Sequence, residues 1–369
     1  MTALPRFMPG KELARRFYAE AVVPILRDTF PGLRHSAALI YTGSEVLGFD
    51  DPRSRDHEWG PRVMLFLSER DFPHRKAIRE TLEQRLPTTV AGYSTSFSQP
   101  DRGNRVMEPA VPGRVRHGVI IVTRRSFFQK YLGHDPVRRP TVEEWLSFPQ
   151  QLLATVRYGE VFHDGLGLEA VRKRLRYYTD NVWKYLLACQ WRRISQEEAF
   201  PGRCQEAGDE LGSRIVTGRL VRDLMRLCFL MEREYIPYEK WLGTAFARLS
   251  CGPRLVPLFH GALAAKRWQE RERWLSRAYA AVAARHNRLG ITPTMATRVT
   301  NYHDRPYRVI HGDRFVEAIR ATIKNTKLRK RPVVGSVDQW VDSTDVLTKI
   351  GLTTKLGSIF QPAGTKGTS

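Results

Sequence analysis

The chain has 369 residues, 42% of them hydrophobic and 27% charged, which is ordinary globular usage and length enough for two domains. Sixty Lys and Arg against 38 Asp and Glu leave a net charge of +22, a field that attracts polyanions such as nucleotides, RNA or DNA. No stretch approaches the roughly 18–20 apolar residues of a membrane span, and MTALPRFMPGKELARRF lacks the apolar run of a secretory signal, so no membrane partner and a cytoplasmic location are expected.

Residues 11–28 carry apolar positions at helical spacing and predict an opening helix. His35–Tyr41 reads as a buried strand that stops at Thr42-Gly43-Ser44. Arg62–Leu67 (RVMLFL) is a second strand, 74–85 a surface helix, and Arg116–Thr123 (RHGVIIVT) a β-branched third strand. This order predicts a small mixed sheet with helices packed on it, over residues 1–140. Helical periodicity then dominates from about 140 to about 288, and residues 141–330 read as an all-α helical bundle domain. Within it, 214–235 places Ile215, Leu220, Leu224, Leu227, Met231 and Tyr235 on one face, with Pro237 closing the helix. Residues 261–287 read as one long helix or two. Residues 331–369 read as a C-terminal extension, its GTKGTS end disordered. Cys189, Cys204, Cys228 and Cys251 form no C-x-x-C pair and have no histidine at metal-ligand spacing, so reduced, mostly buried thiols are expected. Basic clusters stand at 172–176, at 324–331 and, more weakly, at Arg138-Arg139.

The chemistry concentrates in YTGSEVLGFDDPRSRDHEWGPRVMLFL, residues 41–67. A strand delivers Gly43-Ser44 into a turn, and Asp56-His57-Glu58 follows twelve residues after Ser44. In an extended segment residues i and i+2 point the same way, so Asp56 and Glu58 are expected to project together and His57 away from them. Two neighbouring carboxylates repel unless a divalent cation sits between them, and Mg²⁺ takes one or two carboxylates plus substrate phosphates. Gly43 permits close backbone approach to a phosphate. Ser44 adds a hydroxyl, and a helix starting there adds N–H donors. Arg53, Arg55 and Arg62 flank the acids, either contacting phosphate or balancing charge, or else forming surface salt bridges of little worth. Lys240, in Tyr238-Glu239-Lys240-Trp241, is a second-domain candidate for reaching a triphosphate.

The spacing resembles the Gly-Ser, then Asp-x-Asp/Glu, signature of the nucleotidyltransferase superfamily, which includes the aminoglycoside adenylyltransferases. A longer resemblance, to the bacterial domain-of-unknown-function family 4037, runs through GSEVLGFDDPRSRDHEWGPR, FFQKYLGHDP, WRRISQEEAFPGRC, the 208–249 helix block and GSVDQWVDSTDVL. It implies an α/β nucleotidyltransferase-type domain followed by a helical partner domain. The implied reaction is transfer of a nucleoside monophosphate from a triphosphate, expected to be ATP, to an acceptor hydroxyl. Asp56 and Glu58 would be catalytic and metal ligands for Mg²⁺ or Mn²⁺, and Gly43, Ser44, Arg62 and Lys240 would hold the nucleotide. The acceptor (a small molecule, a protein or RNA) stays open. One departure stands out. Many superfamily members carry a third carboxylate on a later strand, and here the expected position is Ile120. Asp101, Glu206 or Asp209 could substitute, or two carboxylates could suffice. The alternative is a catalytically inactive nucleotide- or RNA-binding protein on the same fold.

Among the remaining candidates, Arg219, Arg222 and Asp223 lie on the long helix, where one could line a cleft. Trp183, Trp191, Trp241, Trp268 and Trp274 are expected to pack the bundle.

Overall fold

The computed structural model describes residues 5–56, 58–100 and 104–360. His57, Asp101 and the closing GTKGTS lie outside the described residues. The chain divides into two compact units. One holds the residues up to Arg139 together with Gln151–Arg176, and the other Pro140–Gln150 together with the residues from Tyr177 on.

In the first unit, α1 (Gly10–Arg16) passes through a wide π turn (Phe17–Val22) into α2 (Val23–Thr29). Pro24 stands where the wide π turn passes into α2. Next come β1 (His35–Leu39), α3 (Ser44–Leu47), β2 (Arg62–Leu67) and α4 (Arg75–Arg85). Two short ladders follow, β3 (Thr89–Val90) with β4 (Tyr93–Ser94) and β5 (Ser96–Phe97) with β6 (Met107–Glu108). Then come β7 (Gly118–Thr123) and α5 (Arg124–Leu132). After α6 (Val142–Ser147), which belongs to the second unit, α7 (Gln150–Tyr158), β8 (Glu160–Asp164) and α8 (Leu168–Arg174) complete the first.

The principal sheet has the order β7-β2-β1-β8. β1 runs antiparallel to both neighbours, whereas β2 and β7 are parallel, pairing Arg62 with Gly118, Met64 with Ile120 and Leu67 with Thr123. Every residue of β2 is buried, which accounts for its unbroken apolar run between two covered faces. Val63, Leu65, Leu67, Val119 and Ile121 join Phe17, Val22, Ile78 and Leu82 in one core. The opposite face meets α5, where the Phe66 and Phe127 rings lie edge to face at 5.6 Å. The expectation of a helical bundle domain beginning at 141 is corrected here. β8 pairs with β1 as the fourth strand, and residues 151–176 return to the sheet unit. The sequence EVFHD is short, half-exposed and bracketed by helices, so its period-2 signal is lost in its surroundings.

The second unit continues with α9 (Asp180–Glu197), α10 (Phe200–Glu206), α11 (Glu210–Glu232), α12 (Leu242–Ala247), α13 (Gly252–Ala264) and α14 (Trp268–Asn287). A ladder of β9 (Thr300–Tyr302) with β10 (Arg305–Val309), which helical periodicity did not foresee, precedes α15 (Asp313–Ala321). On α11 the predicted face is buried at Leu220, Leu224, Leu227 and Met231, but Ile215 is 57% exposed. The helix ends at Arg233, with φ 55°, rather than at Pro237. The left-handed cap terminates it four residues before the proline can act. Trp191 is fully buried and stacks on Phe315 at 4.0 Å. All four cysteines are free thiols, and three of them are buried. Among the described residues, no helix is long and apolar enough to cross a membrane.

The extension from 331 is part of this unit. Gln339 is buried and donates to the Leu186 carbonyl at 3.1 Å and to Gln190 Oε1 at 3.0 Å. The Gln150 backbone N–H donates to both oxygens of its buried neighbour Asp338 at 3.1 Å. Burial pushes the Asp338 carboxyl up to about 7, against the Gln150 N–H and the charge of Arg226. Its pKa is thus higher folded than unfolded, where about 3.9 is usual. The folded state therefore holds an extra proton between those values, and the stability this contributes is lost as pH rises through about 7. Asp338→Asn, which keeps an acceptor for Gln150, should match wild type in urea denaturation near pH 4 and gain on it progressively up to pH 8. Parallel curves across that range would refute the linkage.

Candidate functional site: one arginine joins two ends of the 43–58 loop

At the end of the sheet where β1 finishes and β2 begins, Gly43 takes φ 142° and opens α3 at Ser44. A Cβ at Gly43 would collide with the Arg62 guanidinium and the Glu45 carboxylate. The backbone is therefore glycine-only on two counts, conformation and space. Glu45 turns inward and is 2% exposed. Arg62 Nε donates to Glu45 Oε1 at 2.8 Å, and Nη2 donates to the same carboxylate and to the Thr42 carbonyl. Burial pushes the Glu45 carboxyl up, and the charge of Arg62 opposes it. Gly43→Ala should therefore lower stability by about 1–3 kcal/mol. Gly48→Ala, at φ 71° with open space around it, should cost no more than about 1 kcal/mol. Paired urea denaturation checks the contrast, and equal losses would refute it.

The other end of the loop reaches the same arginine. Arg62 Nη1 lies 3.7 Å from Glu58 Oε2. Glu58 is also gripped by Arg105, whose Nε and Nη2 donate to its two oxygens at 3.1 and 3.3 Å, and its own N–H donates to the Arg105 carbonyl at 2.7 Å. Asp56 closes the 3₁₀ turn Pro52–Asp56 and is exposed. The extended geometry expected for 56–58 is corrected. Asp56 ends a helical turn and Glu58 has φ 46°, so the two acids do not share a strand face by pleat alternation.

What holds this loop is aromatic. Trp59 is fully buried, stacks on Phe7 at 5.9 Å and meets Tyr93 edge to face at 5.4 Å. Its Nε1 donates to Asp50 Oδ2 at 3.1 Å, and the Gly10 N–H at the start of α1 donates to the same oxygen at 2.7 Å. Arg55 lies over the Phe7, Trp59 and Tyr93 rings at 5.3–5.8 Å and donates to Pro5 O and Tyr93 Oη at 3.1 Å. Arg55 is thereby committed to packing, while Arg53 remains exposed.

Ile120 shares a sheet face with Arg62. It stands two residues along β7 from Gly118, the register partner of Arg62. Among the described residues, no three His, Cys, Asp or Glu side chains gather to hold a metal. Two of the three suggested substitutes have other partners. Glu206 pairs with Arg305, and Asp209 caps α11 by accepting from the Gly212 N–H at 2.7 Å. In the second unit, Lys240 Nζ stands 4.3 Å from the Trp241 ring centroid. There Arg219 pairs with Glu197, Arg222 with Asp342 at 3.2 Å, and Asp223, fully buried, with Arg193 at 3.4 Å. Glu45, Asp50, Trp59 and Arg105 were not singled out from sequence. Only Trp59, a tryptophan in a largely polar segment, carried a legible signal.

The family model "Domain of unknown function (DUF4037)" matches residues 145–242. That stretch runs from α6 to the start of α12 and excludes the Gly43–Glu58 loop. A nucleotidyltransferase-like protein from Exiguobacterium sibiricum is similar at 10% identity and a TM-score of 0.34, with 79% of this chain and 82% of that chain covered. At that score the likeness identifies neither site nor substrate. No curated protein matches the chain.

Proposed function

We propose that the Gly43–Glu58 loop binds the phosphates of a nucleoside triphosphate, ATP being the expected donor, and that the protein transfers a nucleotidyl group to an acceptor hydroxyl. The observation that carries this reading is Arg62. One buried guanidinium touches both the Gly43-Ser44 turn and Glu58, so a phosphate-approach turn and a carboxylate are held as one unit. The donor set, carboxylate oxygens on Asp56 and Glu58, suits a hard divalent cation that completes its shell with substrate phosphates. Asp56 and Glu58 would hold Mg²⁺ or Mn²⁺. Such an ion would neutralise charge developing on the phosphates. The chain's own part is positioning. Gly43 allows close backbone approach, Ser44 offers a hydroxyl, and Arg62 with Arg105 fixes the Glu58 carboxylate in place.

A second reading, a nucleotide- or RNA-binding protein without turnover, is favoured by Ile120. Its position beside Arg62 offers no third acid, and the described residues hold no three-ligand cluster.

The test is thermal unfolding with each triphosphate, with and without Mg²⁺, on wild type, Asp56→Ala and Glu58→Gln. Ligand at 100 times its dissociation constant stabilises the folded state by about 2.7 kcal/mol. A metal-dependent rise for wild type that disappears in both variants is expected. Triphosphate stabilisation without metal or pyrophosphate release favours the second reading. No rise with any triphosphate in folded protein sinks both nucleotide readings.

A further inference from the structure

The first unit has a cleft of about 630 Å³ at the other end of its sheet. It opens where β2 ends, at Leu67 and Ser68, and where α5 begins, at Arg124 and Arg125. The Gly43–Glu58 loop joins the opposite ends of the same strands. A six-residue strand spans about 17 Å, so the two places are separate.

One basic sequence cluster with no assigned role contributes to this cleft, and a second follows its wall in the chain. Arg174 belongs to the 172–176 cluster, and the Asp135–Val137 wall leads directly into Arg138-Arg139. Arg124, Arg125 and Arg174 all line it. Among the described residues, neither Arg124 nor Arg174 has a carboxylate partner. Arg124 donates to the Gly167 carbonyl at 3.4 Å and Arg174 to the Pro136 carbonyl. Glu69 and Asp135 also line the cleft. Asp135 is already engaged, by Arg125 at 3.3 Å and by the Val137 N–H at 3.0 Å. The first turn of α5 carries two arginines and no acid, and its capping box uses neutral Thr123 and Ser126. Cations there oppose the helix dipole, and of the arginines lining the cleft Arg125 is the one paired with the lining Asp135. Leu67, Pro136, Val137 and Leu166 supply an apolar wall, and Val137 is 82% exposed at its edge.

We propose that this cleft is a second binding site, for a small organic anion that carries a phosphate on an apolar or planar body. Guanidinium forks match phosphate oxygens, and the volume lies within the range of small-molecule sites. The proposal is independent of the nucleotidyl-transfer reading.

Adenosine monophosphate and inorganic phosphate serve as probes, titrated calorimetrically into the full chain in the presence of a chelator. Adenosine monophosphate should bind, and more tightly than inorganic phosphate because of the apolar wall. Arg124→Gln and Arg174→Gln should each weaken it at least tenfold. Arg125→Gln, on an exposed side chain whose loss threatens folding least, should weaken it several-fold with the melting midpoint unchanged. Glu58→Gln should bind as wild type does. The proposal is overturned if neither probe binds, if the arginine variants bind unchanged, if Glu58→Gln alone loses binding, or if the two probes bind equally. Salt-sensitive capture of single-stranded RNA with no binding of either probe would also overturn it.

Discussion

Arg62→Ala is expected to destabilise the first unit by about 3–5 kcal/mol, because it leaves the Glu45 carboxylate buried without its cation. Both side chains are no more than 3% exposed, so water cannot replace the lost partner. The same change frees the Thr42 carbonyl and removes one of the two guanidiniums beside Glu58. Arg62→Lys should recover only part of the loss, since an ammonium cannot serve Glu45, Thr42 and Glu58 together as the planar fork does. The decisive comparison is the pair Arg62→Met with Glu45→Gln, which removes both charges. Urea denaturation should show the double variant well above Arg62→Ala. If the double variant is as unstable as the single, the uncompensated charge is not the cause. A loss under about 1 kcal/mol for Arg62→Ala would mean that the pair behaves like a surface one.

Trp59→Ala should cost a similar amount, about 3–5 kcal/mol, the range for removing a large buried aromatic. Three losses coincide. The cavity faces Phe7 and Tyr93, the Asp50 carboxylate loses the indole N–H, and Arg55 loses one of its three rings. Asp50 retains the Gly10 N–H, so Trp59→Phe, which keeps the ring packing, should recover most of the stability. Because Trp59 adjoins Glu58 in the chain, triphosphate binding under the proposed function should fall with Trp59→Ala even where the protein stays folded. Calorimetric unfolding of Trp59→Ala and Trp59→Phe separates packing from the hydrogen bond. Equal losses for the two variants would assign the whole effect to the Asp50 contact.

Local signals carried much of the reading from sequence. β2 and β7 announced themselves as apolar, β-branched runs, and α4, α11 and α14 by helical periodicity. Gly43-Ser44 was marked as a turn opening a helix, and α3 starts there. These features depend on neighbours within a few residues, and so on backbone preference and side-chain period. β8 did not declare itself, because a five-residue edge strand gains its stability from pairing with β1, more than 120 residues earlier in the chain. Ile215 had the spacing of a core residue and is exposed. Periodicity marks a stripe on a helix, but how far along the helix that stripe is covered depends on what packs against it.

The site divides the same way. Sequence by itself determined that a glycine turn and the acids Asp56 and Glu58 lie close along the chain and that arginines accompany them. Only the tertiary structure decided which arginine does what. Arg55 is held among Phe7, Trp59 and Tyr93, and Arg105, 47 residues from Glu58, forks onto its carboxylate. Glu45 reads as an ordinary first-turn acid, yet it is buried, because α3 turns it toward Arg62 where β2 begins. The reason is physical. A guanidinium can satisfy any nearby carboxylate or carbonyl, and the choice among them is made by burial and distance after the strands have paired.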